Sequence, residues 1–123
     1  MVNQREGKGW RLALDPGRAP YGVLVGGDGW ACELTDQELE ALRFGVRRLC
    51  EQHGAIAEQL MPEESITIEH EADGLWLELS GDKDHWQLRF VLEGRQEHRG
   101  VEAGWSDEAV RALLSALDRP AVC

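Results

Sequence analysis

At 123 residues, with 42% hydrophobic and 29% charged side chains, the chain has enough apolar material for a packed core and too much for a disordered polyelectrolyte. Its formal net charge of −10 falls mainly on the second half: residues 1–61 hold nine acids against seven bases, residues 62–123 fourteen against six. A field of that sign repels phosphate backbones, so any nucleic-acid surface must be local, and no apolar run approaches the ~20 residues of a bilayer span.

The opening MVNQREGKGW lacks the apolar stretch of a secretory signal, which makes a cytoplasmic location the expectation. Trp10, Leu12 and Leu14 then alternate with Arg11, Ala13 and Asp15, the period of a half-buried strand. Asp15-Pro16-Gly17 predicts a turn. Tyr21, Val23 and Val25 resume the alternation until Gly26-Gly27-Asp28-Gly29 breaks it, and Trp30, Cys32 and Leu34 form one side of a third strand. A three-strand meander thus precedes the first helix.

Thr35-Asp36-Gln37-Glu38 is a capping box, since Thr35 can accept from the third helical amide while Glu38 reaches back to the cap. Leu39, Leu42, Val46, Leu49, His53, Ile56 and Leu60 form one apolar stripe, so the spacing predicts a helix from about Asp36 to Leu60, weakened at Gly54 and stopped by Pro62. His53 reads as an interior histidine on that stripe.

The second half repeats the plan. Ile66, Ile68 and His70 alternate with Thr67, Glu69 and Glu71. Asp73-Gly74 is a hairpin signal, and Leu75, Leu77 and Leu79 stand opposite Trp76 and Glu78. After the turn Gly81-Asp82-Lys83-Asp84, the residues Trp86, Leu88, Phe90 and Leu92 make the most apolar strand face of the chain. Gly94 to Arg99 reads as a hairpin connection to a short strand at Arg99-Gly100-Val101-Glu102. Ser106-Asp107-Glu108 starts a second helix over 107–117, with Val110, Leu113, Leu114 and Leu117 inward and Pro120 at its end.

A Gly-Trp followed by an acid-rich helix start therefore occurs twice, as GWACELTDQELEALR and GWSDEAVRALLSAL. Two sheet-then-helix halves, about 7–61 and 62–119, predict one pseudo-symmetric α+β domain of antiparallel sheets with two helices around a common apolar centre.

Candidate sites are few. Cys32, Cys50 and Cys123 are odd in number and lack a CxxC pair, which argues against a disulfide framework and a cysteine metal site. Gly26 to Gly29 lacks the helix and the Lys-Ser/Thr pair of a phosphate loop. Asp82-Lys83-Asp84-His85 lacks the ligand spacing of a calcium loop. His70 and His98, with nearby acids, are the remaining histidine candidates. No nucleophile motif stands out, so the expectation is a protein with no catalytic residues, no metal and no cofactor. Of the five tryptophans, Trp10, Trp30 and Trp86 read as core, Trp105 as a staple ahead of the helix cap, and Trp76 as the exposed aromatic. Basic candidates are Lys8, Arg11 and Arg18, then Arg43, Arg47 and Arg48 on the long helix, and Arg89, Arg95 and Arg99 near the last strands.

GKGWRLALDP, VLVGGDGWACELTDQELEAL, WQLRFVLEGR and RGVEAGW together resemble the domain of unknown function 1818 family of cyanobacteria and plastids, from about Glu6 to Leu117. The resemblance implies cyanobacterial origin and a fold similar to the Whirly single-stranded-DNA-binding regulators, with curved antiparallel sheets, packed helices and frequent homo-oligomers. It brings no activity to transfer, and the lysine-rich motif of true Whirly proteins is missing. Two functions follow as expectations. One is single-stranded nucleic-acid binding through a sheet face, with Arg11, Arg89 and Trp76 first; Arg99, Arg43 and Arg47 complete a candidate surface for nucleic acid or a partner. The other is a self-associating protein-interaction module without nucleic-acid binding.

Overall fold

The computed structural model describes residues 3–93 and 100–118. Four strands lead into a helix, and the order then repeats: β1 Asn3–Gly7, β2 Trp10–Leu14, β3 Val23–Gly27, β4 Trp30–Leu34 and α1 Asp36–Ala57, then β5 Ile66–Ala72, β6 Leu75–Gly81, β7 Trp86–Leu92, β8 Val101–Trp105 and α2 Asp107–Asp118. Each set of strands is an antiparallel meander in chain order, giving an α+β fold of two four-stranded sheets and two helices.

β1 is a fourth strand ahead of the three-strand meander that the alternation predicts. NQREG has no apolar side chain to reveal its alternation, yet Arg5 pairs with Leu12 and its guanidinium donates to the carbonyl of Ala116 on α2. Its aliphatic stem can cover apolar surface while the charged end finds an acceptor. The turn at Lys8-Gly9, with Gly9 at φ +78°, joins it to β2.

Glycines decide where two indoles lie. Gly7 faces Trp10, and Gly27 faces Trp30, across neighbouring strands. A Cβ on Gly27 would meet Trp30 Cε2 at 2.7 Å, and one on Gly7 would meet Trp10 Cε2 at 3.0 Å, so each ring fills the space above its glycine.

α1 begins as its sequence predicts. Glu38 N donates to Thr35 Oγ1 at 3.1 Å, and Thr35 N donates to Glu38 Oε1 at 2.8 Å. Thr35→Ala removes the first of these and should cost about 0.5–2 kcal/mol in a urea titration, with Thr35→Ser recovering most of it. At α2 the third position is Ala109, fully buried, and its Cβ lies 3.2 Å from where a Cβ on Gly9 would stand. A glutamate has no room there, which explains the incomplete box. The amides of Ala109 and Val110 donate to the Ser106 carbonyl.

The helices do not simply lie on the strands that precede them. α1 packs chiefly on β5 and β6 of the second sheet and touches only β4 of the first among its closer contacts, whereas α2 packs on β1 and β2 as well as β7 and β8. One core results, running from Leu12, Val23 and Val25 through Leu42 and Leu49 to Leu77, Leu79, Phe90 and Leu113.

The two sheets are also pinned directly. Trp30 Nε1 donates to the Gly104 carbonyl at 3.1 Å, and Trp105 Nε1 donates to the Gly26 carbonyl at 2.8 Å. Trp105 stacks on Phe90 with centroids 5.3 Å apart, and Trp30 lies 5.2 Å from Trp105. The two Gly-Trp pairs are therefore not equivalent by position, because Trp30 opens β4 while Trp105 closes β8. Their reciprocity lies in the contacts, each indole capping a glycine carbonyl of the other sheet.

At the β6–β7 connection, Asp82 accepts from the amides of His85 at 2.7 Å and Asp84 at 2.8 Å, which hold its carboxyl below the ordinary carboxylate range. Its backbone carbonyl meets Nε2 of the buried His53 at 3.0 Å, and His53 rests against Trp86. His53 is thus an interior, satisfied histidine, as its stripe position predicts. Gly54 does not break α1, which runs on to Ala57.

Candidate functional site

The outer face of the second sheet carries the pair that the sequence singled out. Trp76 is half-buried on β6, and the guanidinium of Arg89 on β7 stands 5.1 Å from its ring centroid. That pair is enclosed by acids. Trp76 Nε1 donates to Glu69, and Arg89 lies 3.8 Å from Glu78 and 3.4 Å from Glu102. By strand register Glu69, Glu71, Glu78 and Glu102 share this face, so Arg89 is outnumbered among the described residues.

The other candidates are dispersed. Arg11 is exposed on β2, on the outer face of the first sheet. Arg43 is half-buried: its Nε donates to the Leu117 carbonyl at the end of α2 at 2.8 Å, and its Nη1 donates to Glu40 at 2.6 Å. It stabilises a helix C-terminus, where a cation offsets the negative dipole end, with its remaining charge engaged by Glu40. Arg47 and Arg48 are exposed on α1. Arg99, Arg95 and His98 lie outside the described residues, as does the whole of the expected 94–99 connection.

A different region gathers the chemistry. The first three turns of α1, the β5–β6 turn, the end of β7 and residues 20–21 enclose a groove of ≈ 850 Å³. Its apolar lining comes from Pro20, Tyr21, Ala41, Phe44, Ala72, Leu75 and Leu92. Among the described residues its ionisable lining, beyond Tyr21, is wholly acidic: Asp36, Glu38, Glu40, Asp73 and Glu93.

Local rules place each part. The capping box fixes Asp36 and Glu38 at the helix entry. Asp73 and Gly74 both adopt positive φ, +56° and +79°, the requirement of a two-residue hairpin turn whose twist matches its strands. The Glu93 amide closes this end by donating to the Gly74 carbonyl at 2.9 Å. Phe44 falls off the apolar stripe of α1 and is 57% exposed, its ring 5.7 Å from His70. The next residue, Gly45, is buried where α1 meets β5 and β6. A Cβ there would overlap Leu77 Cδ1 and lie 3.0 Å from His70 Cδ2.

Phe44 and the groove are what the residue patterns missed. The only local signal is an aromatic off the buried stripe beside a mid-helix glycine. Among the described residues the lining brings together carboxylates but neither histidine nor cysteine. His70 stands behind Phe44, with its Nε2 buried and unpartnered among the described residues. Among those residues no group of three or more His, Cys, Asp or Glu is placed to hold a metal ion. Among the described residues no helix is long and apolar enough to cross a membrane.

Comparison with known proteins extends this picture to relatives. The crystal structure of a protein with unknown function from Prochlorococcus sp. NATL2A, described as from the DUF155 family, is similar over 95% of this chain and 96% of that one. The two share 35% sequence identity and a TM-score of 0.91. A cyanobacterial relative accords with the distribution expected from sequence. No curated protein matches. These likenesses establish the α+β fold and the relatives; a kinship with Whirly regulators is not established by them. The family model described as "Domain of unknown function (DUF1818)" matches residues 5–119, and the chain belongs to that family.

Proposed function

We propose that this protein is a non-enzymatic protein-interaction module whose working surface is the groove between α1 and the β5–β6 turn. The carrying observation is Phe44, a large aromatic left 57% exposed at a concave, partly apolar site. Aromatic side chains are enriched in the cores of protein interfaces, where a few buried anchors carry most of the affinity. Phe44→Asp should abolish binding of any partner found by crosslinking while leaving the circular dichroism spectrum unchanged. A partner that binds both proteins equally would overturn the reading.

The single-stranded nucleic-acid reading has one specific observation in its favour, the stacked Arg89–Trp76 pair on an open sheet face. Base stacking contributes ~1–3 kcal/mol per base, but the four surrounding glutamates oppose the phosphates that must accompany each base. We therefore expect no measurable binding of a labelled single-stranded oligonucleotide even at low salt. Tight binding that weakens steeply with added salt would reinstate that reading.

A further inference from the structure

The groove's electrostatics specify its occupant. We infer that it receives a Lys- or Arg-bearing peptide segment of a partner protein, anchored by one large apolar side chain laid against Phe44; this rests on the groove being a protein-binding surface. Three observations carry it.

First, among the described residues the groove lining offers an anion no cationic side chain. At the α1 entry Glu38 N is committed to Thr35 Oγ1 and Leu39 N to the Thr35 carbonyl, and the carboxylates of Asp36, Glu38 and Glu40 line the groove beside that entry. Second, two of its five carboxylates are occupied and three are open. Glu38 accepts from Thr35 N and Glu40 from Arg43, whereas Asp36, Asp73 and Glu93 make no ion pair among the described residues. These three lie on different elements, the helix start, the hairpin turn and the end of β7, so they surround the cleft instead of forming one solvated row. A cleft of one sign concentrates ligands of the opposite sign. Third, charge alone does not describe the site, because Phe44 and Leu92 give it an apolar part that a simple cation would leave wet. A peptide carrying both kinds of side chain meets both requirements: interfaces set an apolar core within a polar rim, and complementary charge across them fixes register.

The test is panning of a random peptide library on the full chain, in parallel with Phe44→Ala. Peptides enriched by the parent and not by the variant should carry an excess of Lys and Arg together with a Leu, Phe or Trp. A synthetic peptide of that kind should bind about thirtyfold more weakly to Phe44→Ala. It should bind about tenfold more weakly to Asp73→Lys/Glu93→Lys, and weaken with rising salt. Asp73→Asn/Glu93→Gln, which leaves the fold's charge balance closer to the parent, should lose an intermediate amount. Phe44-dependent peptides that are neutral or acidic would overturn the basic-segment inference and leave the interaction module standing. No Phe44-dependent enrichment would overturn both. A parent dimer by light scattering that Phe44→Ala converts to monomer would show that a second copy occupies the groove, and would overturn the inference as well.

Discussion

Trp105→Ala should lose about 3–5 kcal/mol of unfolding free energy, a large share of the roughly 5–15 kcal/mol that holds an ordinary domain together. The indole is 2% exposed, stacks on Phe90 and touches Trp30, so truncation opens a cavity where the sheets meet. It also leaves the Gly26 carbonyl, held at 2.8 Å, without its donor. Two variants separate these terms. Trp105→Phe keeps much of the ring and should cost only about 1–3 kcal/mol, chiefly the desolvated acceptor. Trp30→Phe, at a partly exposed position, should cost less than Trp105→Phe. Urea titration followed by circular dichroism reads all three, and a Trp105→Ala protein as stable as the parent would refute the pinning of the sheets.

Substitution of the two α1 glycines should produce effects of opposite sign. In an exposed helix interior, glycine-to-alanine stabilises by up to about 1 kcal/mol. Gly54 meets that condition, since nothing lies within 4 Å of a Cβ built there, so Gly54→Ala should raise the urea midpoint. At Gly45 the same methyl overlaps Leu77 Cδ1, and Leu77 is fully buried with little room to turn. Overpacking of that kind costs typically about 1–3 kcal/mol and outweighs the propensity gain, and Gly45→Val should be worse still. Displacing α1 also shifts Phe44 from His70 and reshapes the groove wall. Gly45→Ala is therefore expected to weaken groove binding as well as stability. Equal, positive effects at both glycines would mean that α1 does not sit as close to β5 and β6 as described.

Much of this architecture could be read from residue patterns, for identifiable reasons. Strands β2 to β7 carry period-two alternation of large apolar residues. The β5–β6 turn is announced by Asp73-Gly74, and α1 by its capping box and stripe. Patterns fail where a residue acts against its type. β1 has no apolar side chain, and an arginine serves as its inward residue. Arg43, taken for a surface cation, is drawn under α2 by the Leu117 carbonyl. The groove is illegible for another reason: residues 20–21, 35–44, 72–75 and 92–93 meet only after folding, and no local spacing predicts a cleft built from four separate stretches. The Gly-Trp repeat was visible, but its reciprocal hydrogen bonding between sheets depends on register and position at opposite strand ends.

The crossing of the two helices has a consequence for how the molecule can be divided. Cutting between Ala57 and Ile66 would leave the β5–β8 fragment without the rod that shields β5 and β6, and the β1–β4 fragment without the one over β1 and β2. Each piece would present bare greasy ribbons, prone to stick to its own kind. Neither can serve as an autonomous building block, and only the reunited pair restores what the uncut polypeptide achieves.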